Sequence, residues 1–326
     1  MKKHLRLLTL LICFGLTIAF GQEKQTSNKL IEEAMQFYNS KDYVTSAEKF
    51  EKAFLISGDK INILYYYVAA CSNALAQNPD TAFQQLFKIV KDPYFEHPED
   101  IMTNADLEIL HQDERWNKLG ELIKITKKRK EALYDKPLMA MLATISNDDQ
   151  KYREELDVII EKYGWDSDES KALVNKLEEQ DALNLKKVTK ILDERGWLGP
   201  DVIGLDGNMT LFLVIQHSDH ETQEKYLPMM RDAVAKGNAI ASNLALLEDR
   251  VALANGEKQI YGSQLKTNPI TGINYVYPMI DPDHVNERRS AMGLGTIEAY
   301  VAMFNITWDV QAYKKSLLER EAPSEN

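Results

Sequence analysis

Two stretches in the first third of the chain repeat one another at a common offset, and that offset limits the fold more tightly than any other feature. Leu30, Ala34 and Phe37 form one stripe at helical spacing, Asp42-Tyr43 marks a turn, and Ser46, Phe50 and Ala53 form the facing stripe. A second unit carries Tyr66, Ala70 and Asn73, a turn at Asn78-Pro79, then Ala82, Leu86 and Ile89. The two align at 36 residues, Leu30 with Tyr66, Ala34 with Ala70 and Phe50 with Leu86. A shift shared by two helices is a repeat signature and predicts stacked helix pairs. Small residues at Ala34 and Ser46 let the helices approach closely, while Phe37 and Phe50 fill the space beside them.

This spacing resembles the tetratricopeptide repeat, over residues 27–126. Asn104-Ala105-Asp106-Leu107-Glu108-Ile109-Leu110 and Arg115-Trp116-Asn117-Lys118-Leu119 look like the element that closes such arrays. The first turn departs from the family, with Lys41 in place of glycine, and so does the second, with Pro79 in place of an aromatic. The resemblance implies a right-handed stack whose concave face takes a peptide or protein partner. The competing reading is a short array that only packs on the domain following it.

The N-terminus points to export. Lys2, Lys3 and Arg6 precede an apolar stretch from Leu7 to Phe20, and Ala19-Phe20-Gly21 places small residues where a signal peptidase reads. Residues 1–21 are therefore expected to be a signal peptide cut before Gln22, with the protein periplasmic or extracellular. A membrane anchor competes, but the stretch is shorter than the roughly 20 apolar residues of a span, and none is expected after signal removal. A lipid anchor on Cys13 is disfavoured by the bulky Ile12 before it. The second cysteine, Cys71, is left without an intrachain partner, so stability must come from packing. Without the three basic residues of the leader, 36 Lys and Arg face 50 Asp and Glu, a net charge of −14. Such a surface repels nucleic-acid phosphates and anionic lipid, and no nucleic-acid partner is expected.

A basic run from Lys124 to Lys130 reads as a solvated helix face or linker. Beyond it, Leu138 to Ile145 and Tyr152 to Tyr163 are predicted helices, with Asn147 to Asp149 capping the second. A long helix follows from about Asp168 to Arg195, ended by Gly196, then helices near 207–217, 220–236 and 241–254. Tyr261, Gly262, Thr267, Pro269, Gly272, Tyr275, Val276 and Tyr277 predict two strands and a loop. Short helices at Val285 to Met292 and Thr296 to Asn305 complete a domain over 130–305, and 306–326 reads as a tail. The expected class is mainly α, an α-solenoid of tetratricopeptide-like helix pairs followed by a helical domain with one small β-hairpin.

Polar clusters interrupt this domain. The order Asp149-Gln150-Lys151-Tyr152-Arg153, Gly196-Trp197, Gln216-His217-Ser218-Asp219, Asp249-Arg250-Val251, Gln259-Ile260-Tyr261-Gly262-Ser263-Gln264, Asp281-Pro282 and Arg288-Arg289-Ser290-Ala291-Met292-Gly293-Leu294 resembles domain-of-unknown-function family 6624. Ser263 stands where threonine is commoner in that family. The family has no established activity, so the resemblance implies a domain and no reaction.

Each polar residue supports more than one reading. Asp149 and Arg153, four apart on a helix, make either a surface ion pair or part of a site. Arg250 shares a helical face with Leu246 and Leu253, so it should be partly desolvated and need an anion, supplied by Asp249, Asp219 or Asp149. His217, oriented by Asp219, is the candidate for proton transfer. His220 stands three residues on, but the helix breaks between them and no third ligand is local, so no metal and no cofactor is expected. Ser263 lacks the surroundings of a nucleophile elbow. Gln259 and Gln264 are expected to pin the hairpin on one side and face a cleft on the other, beside Tyr261, with Arg288 or Arg289 clamping an anion. The leading expectation is a polar small molecule, glycan or peptide bound by Asp149, Arg153, Gln216, His217, Arg250, Gln259, Tyr261, Gln264, Arg288 and Arg289. The alternatives are a hydrolase using His217 and Asp219, and an interaction scaffold.

Overall fold

The computed structural model describes residues 26–57, 62–92, 95, 97–268 and 272–321; the expected signal peptide, Cys13 and Pro269 lie outside them. The described chain is mainly α, with one two-stranded antiparallel sheet, and divides into two compact units. One combines the residues up to Lys127 with those from Lys258 onward; the other is Lys128–Glu257.

The first unit begins with helix pairs: α1 (26–39) with α2 (Tyr43–Ser57), then α3 (Ile63–Leu75) with α4 (Pro79–Ile89). The 36-residue offset holds in burial, since Ala34, Ala70, Phe50 and Leu86 are all fully buried. It also holds in the backbone. Lys41 and Gln77, again 36 apart, both take the left-handed conformation that turns each pair (φ 66° and 61°). Close approach is fixed by hydrogen bonds as well as by small side chains. Ser46 Oγ donates to Ala34 O (2.9 Å) and lies 3.0 Å from Ser72 Oγ. Two 3-10 turns, Pro98–Thr103 and Ala105–Leu110, bring Ile101, Leu107 and Leu110 against α3 and α4, where Trp116, Leu119 and Ile123 of α5 (Glu114–Leu133) complete the core. The basic run is the largely exposed later part of α5, with Lys127 paired to Glu99 (2.5 Å).

The later segment of the same unit carries β1 (Leu265–Thr267) and β2 (Asn274–Val276), paired Leu265 to Val276 and Thr267 to Asn274. Helices α11 (Val285–Ala291), α12 (Ile297–Ala302) and α13 (Val310–Glu321) follow. The stretch 306–326, expected as a tail, thus contains a helix. Its Tyr313 joins a core of Val276, Met279, Val285, Ile297 and Val301, accepts from Met279 N (2.9 Å) and donates to Tyr277 O (2.9 Å).

In the second unit α6 (Lys136–Tyr163) and α7 (Asp168–Arg195) form a long hairpin, with α8 (Pro200–Gln216) against α6, and α9 (His220–Ala235) against α10 (Ala241–Ala254). Asp135 caps α6, accepting from Leu138 N (3.1 Å), and Ser167 caps α7, accepting from Ser170 N (3.1 Å). Gly164 and Gly196 end them. The expected break at Asn147 to Asp149 is absent and α6 is one helix. The stretch holds no Gly or Pro, and Asn and Asp cost only roughly 0.7 kcal/mol each inside a helix, which inward contacts outweigh. Leu138, Leu142, Ile145 and Asp149 form a single buried stripe, so the carboxylate continues an apolar face. Helix α8 starts earlier than expected and is bent at Gly204; Gly207 lets it close on α6, where a Cβ would stand 3.1 Å from Leu142 Cδ1.

Candidate functional site

The second unit gathers its chemistry where α6, α7 and the end of α8 meet. Asp149, 3% exposed, is held by three donors. His217 Nδ1 stands 3.0 Å from its Oδ1, Gln150 Nε2 donates to Oδ2 (2.6 Å), and Arg153 Nη2 donates to Oδ1 (3.4 Å). Arg153 Nη2 also bridges both oxygens of Asp181 on α7 (2.8 and 2.7 Å). Beside them, Gln180 donates to Asp148 (3.3 Å), tying α6 to α7, and to Asn184 (3.1 Å).

Burial by itself would raise Asp149; the hydrogen bond and charge of His217, then Arg153, outweigh it and hold the carboxyl below its ordinary value. Asp181 lies closer to Arg153 yet is raised, because burial dominates and Asp149 repels it against the pull of that guanidinium. The lower value goes to the carboxylate hydrogen-bonded to His217, not to the shorter ion pair. An ionised Asp149 only accepts, so Nδ1 of His217 carries the hydrogen in either protonation state. The other nitrogen, Nε2, has no hydrogen-bond partner and is not shut from solvent. His217 is 22% exposed and lines an open recess of about 430 Å³ with Asp149, Glu178, Asp181, Leu185, Val214, Ser218 and Asp219. A larger hollow of about 920 Å³ runs along α6 and α7, lined by Lys151, Glu154, Val158, Leu173 and Lys176. It is a helix seam, whereas the buried Asp149 and its partner His217 lie at the smaller recess.

Asp219 does not orient His217. It caps α9, accepting from Thr222 N (2.8 Å), and Asp149 takes the orienting place. The expected anion for Arg250 is also missing. None of Asp149, Asp219 and Asp249 pairs with it, and its Nε is buried without an acceptor. Gln216 is buried, with Oε1 unpaired. His220 Nε2 meets Asn255 Oδ1 (2.8 Å) and takes no part in the recess. Among the described residues no three His, Cys, Asp or Glu are grouped to hold a metal.

The remaining expected residues belong to the first unit and work on backbone. Gln259, fully buried, donates to Tyr277 O (2.9 Å) and Gln264 O (3.2 Å) and accepts from Gln264 N (2.9 Å). It pins the hairpin; the side chain of Gln264 reaches Ser263 Oγ (3.1 Å). Arg288 donates to the carbonyls of Ile260 (2.8 Å), Ile280 (2.6 Å) and Asp281 (2.9 Å). Arg289 donates to Gly295 O (2.6 Å) and Tyr261 O (2.9 Å) under the Tyr300 ring. Neither arginine supplies a free anion clamp. Asp181 and Gln150 were not among the expected site residues; Asp181 shares the inward stripe of Asn184 and Val188, the one signal that could have found it.

Residues 136–313, more than half of the chain, match the family model DUF6624, a family of unknown function. The chain belongs to DUF6624. The matched DUF6624 segment covers the recess residues and the backbone staples alike, and contributes to both compact units. No curated protein and no solved structure gives a significant match to the chain.

Proposed function

We propose that the DUF6624 segment binds a polar ligand, a glycan or peptide of the cell envelope, in the recess at His217. The observation carrying this is the His217 imidazole at the recess, held at Nδ1 by a buried carboxylate while Nε2 makes no hydrogen bond within the protein. A nitrogen held by no protein partner at the edge of a recess is available to a bound group. The leader supports export and so an envelope ligand. The helix pairs, read as tetratricopeptide-like, serve as a scaffold or dock a peptide partner. Titrating the whole chain with neutral glycan fragments and peptides of the envelope tests the reading. Heat of binding that is saturable in the wild type and lost in a folded His217→Ala supports it; equal binding by both rejects it.

The same imidazole supports a second reading, a hydrolase with His217 as general base and Asp149 orienting it. Nδ1 bound to a carboxylate and Nε2 open is the arrangement that abstracts a proton from water. Cleavage products that appear with the wild type and not with His217→Ala would select it; intact fragments after prolonged incubation would leave binding alone.

A further inference from the structure

The recess at His217 combines an apolar wall with hydrogen-bonding groups that almost all accept. On α7, Glu178, Asp181, Ala182 and Leu185 fall at helical spacing and share one face, the two carboxylates first and the apolar side chains after them. The end of α8 and the turn beyond it add Val214, His217, Ser218 and Asp219, with Asp149 behind His217. Four carboxylates therefore line the recess, and no lysine or arginine does. Arg153 binds two of them, Asp149 and Asp181; among the described residues Glu178 and Asp219 make no ion pair. The Ser218 hydroxyl is spent on Ile215 O (2.7 Å). A neutral His217 that gives its Nδ1 hydrogen to Asp149 keeps a lone pair on Nε2, and ionised carboxylates only accept. A ligand in this recess must bring the donors.

We infer that the group bound in the recess is a primary ammonium on an aliphatic stem, the side chain of a peptide lysine, with its charge at Glu178, Asp181 and Asp219 and its methylenes on Ala182, Leu185 and Val214. This rests on the proposed ligand site at His217 and chooses the peptide over the glycan. An ammonium has three donors and no acceptor, which matches a lining of carboxylates and an imidazole lone pair. The apolar wall decides the source, because a lysine stem lays methylenes on apolar surface while its head stays among polar groups. A neutral sugar would set hydroxyls against Leu185 and Val214 and bring no charge, and an amino sugar brings the charge without the stem. Burial pushes the Asp181 carboxyl up and the charge of Asp149 adds to that, a repulsion that a bound cation relieves.

The test follows the ring resonances of His217 in the whole chain by NMR, assigned by their loss in His217→Ala, at constant ionic strength. Three probes are titrated separately: the peptide acetyl-Ala-Lys-Ala-amide, the same peptide acetylated on the lysine amine, and glucosamine. The lysine peptide should shift the resonances saturably, and acetylation of its amine should weaken binding at least about tenfold, as for the loss of a charged hydrogen bond. Glu178→Gln should weaken it about two- to fivefold, as for an exposed ion pair, while Glu179→Gln, the neighbouring carboxylate outside the recess, should leave it unchanged. Equal binding of the two peptides, glucosamine binding as tightly as the lysine peptide, equal losses in Glu178→Gln and Glu179→Gln, or no response to the lysine peptide would each overturn the assignment. Neutral fragments that still bind and depend on His217 would leave the site itself standing, so the two readings fail separately.

Discussion

Replacing Asp149 by Asn keeps the shape of the side chain and removes its charge, which isolates what the carboxylate does for the second unit. Arg153 is not orphaned, because Asp181 still takes its Nη2 at 2.7 Å, so the cost falls short of the roughly 3–5 kcal/mol for stranding a buried ion. What is lost is the charge on the His217 hydrogen bond, and the new amide can also face the Gln150 donor now 2.6 Å from Oδ2. A hydrogen bond to a charged group is worth about 1.5–3 kcal/mol, so Asp149→Asn should destabilise by about 2–3 kcal/mol at neutral pH. The sign with pH follows from the lowered carboxyl. Its contribution is complete above the unfolded value, about 3.9, and fades as pH falls through the lower folded value. Asp181 is raised in part by the charge of Asp149, so in the variant it is raised less, which offsets part of the gap at neutral pH without changing its sign. Urea unfolding of wild type and variant from pH 7 downward measures the gap. A gap below about 0.5 kcal/mol at pH 7, within the scatter of ordinary surface substitutions, or one that stays constant on acidification, refutes the account of Asp149.

Two further outcomes test the first unit. Gly262→Ala should lower stability by roughly 2–4 kcal/mol, since Gly262 has φ 71° and a Cβ would stand 2.9 Å from Ile297 Cδ1 and Met279 Cε; an unchanged melting temperature contradicts this. Cys71 is buried and its thiol pushed up to about 12, so iodoacetamide at pH 8 should leave it unmodified in the native chain and alkylate it in urea; alkylation of the native chain at the rate of an exposed thiol contradicts the packing of α3.

The helix pairs were legible because their signal is periodic: Ala34, Phe50, Ala70 and Leu86 are buried for the reason their spacing predicts. Boundaries were legible where the chain has chemistry to mark them, as at Gly164 and Gly196. The misplaced break in α6 shows the limit. Asn147-Asp148-Asp149 looks like a cap when local preference is all that is known, and it becomes a helix interior because Asp149 finds His217 across 68 residues. The same distance hid the true partner of His217. Asp219 was near in sequence, but a helix start claims its carboxylate for Thr222 N. Helix α13 was missed because only Tyr313 and Leu317 meet the core, too few to make a stripe.

The polar motifs of the family segment separate by what their donors reach. In the first unit Gln259, Arg288 and Arg289 end on main-chain carbonyls of a segment with only two three-residue strands, where few ladder bonds are available. Buried carbonyls must find donors, and an arginine with five of them satisfies several at once. These side chains build the loop, and replacing them removes structure before it removes function. In the second unit the polar side chains reach one another and leave donors and acceptors over: Nε of Arg153, Nε of Arg250, Oε1 of Gln216 and Nε2 of His217. Of these only His217 lines the recess; the other three atoms are buried, so the imidazole is the group of the set that the proposed ligand would meet.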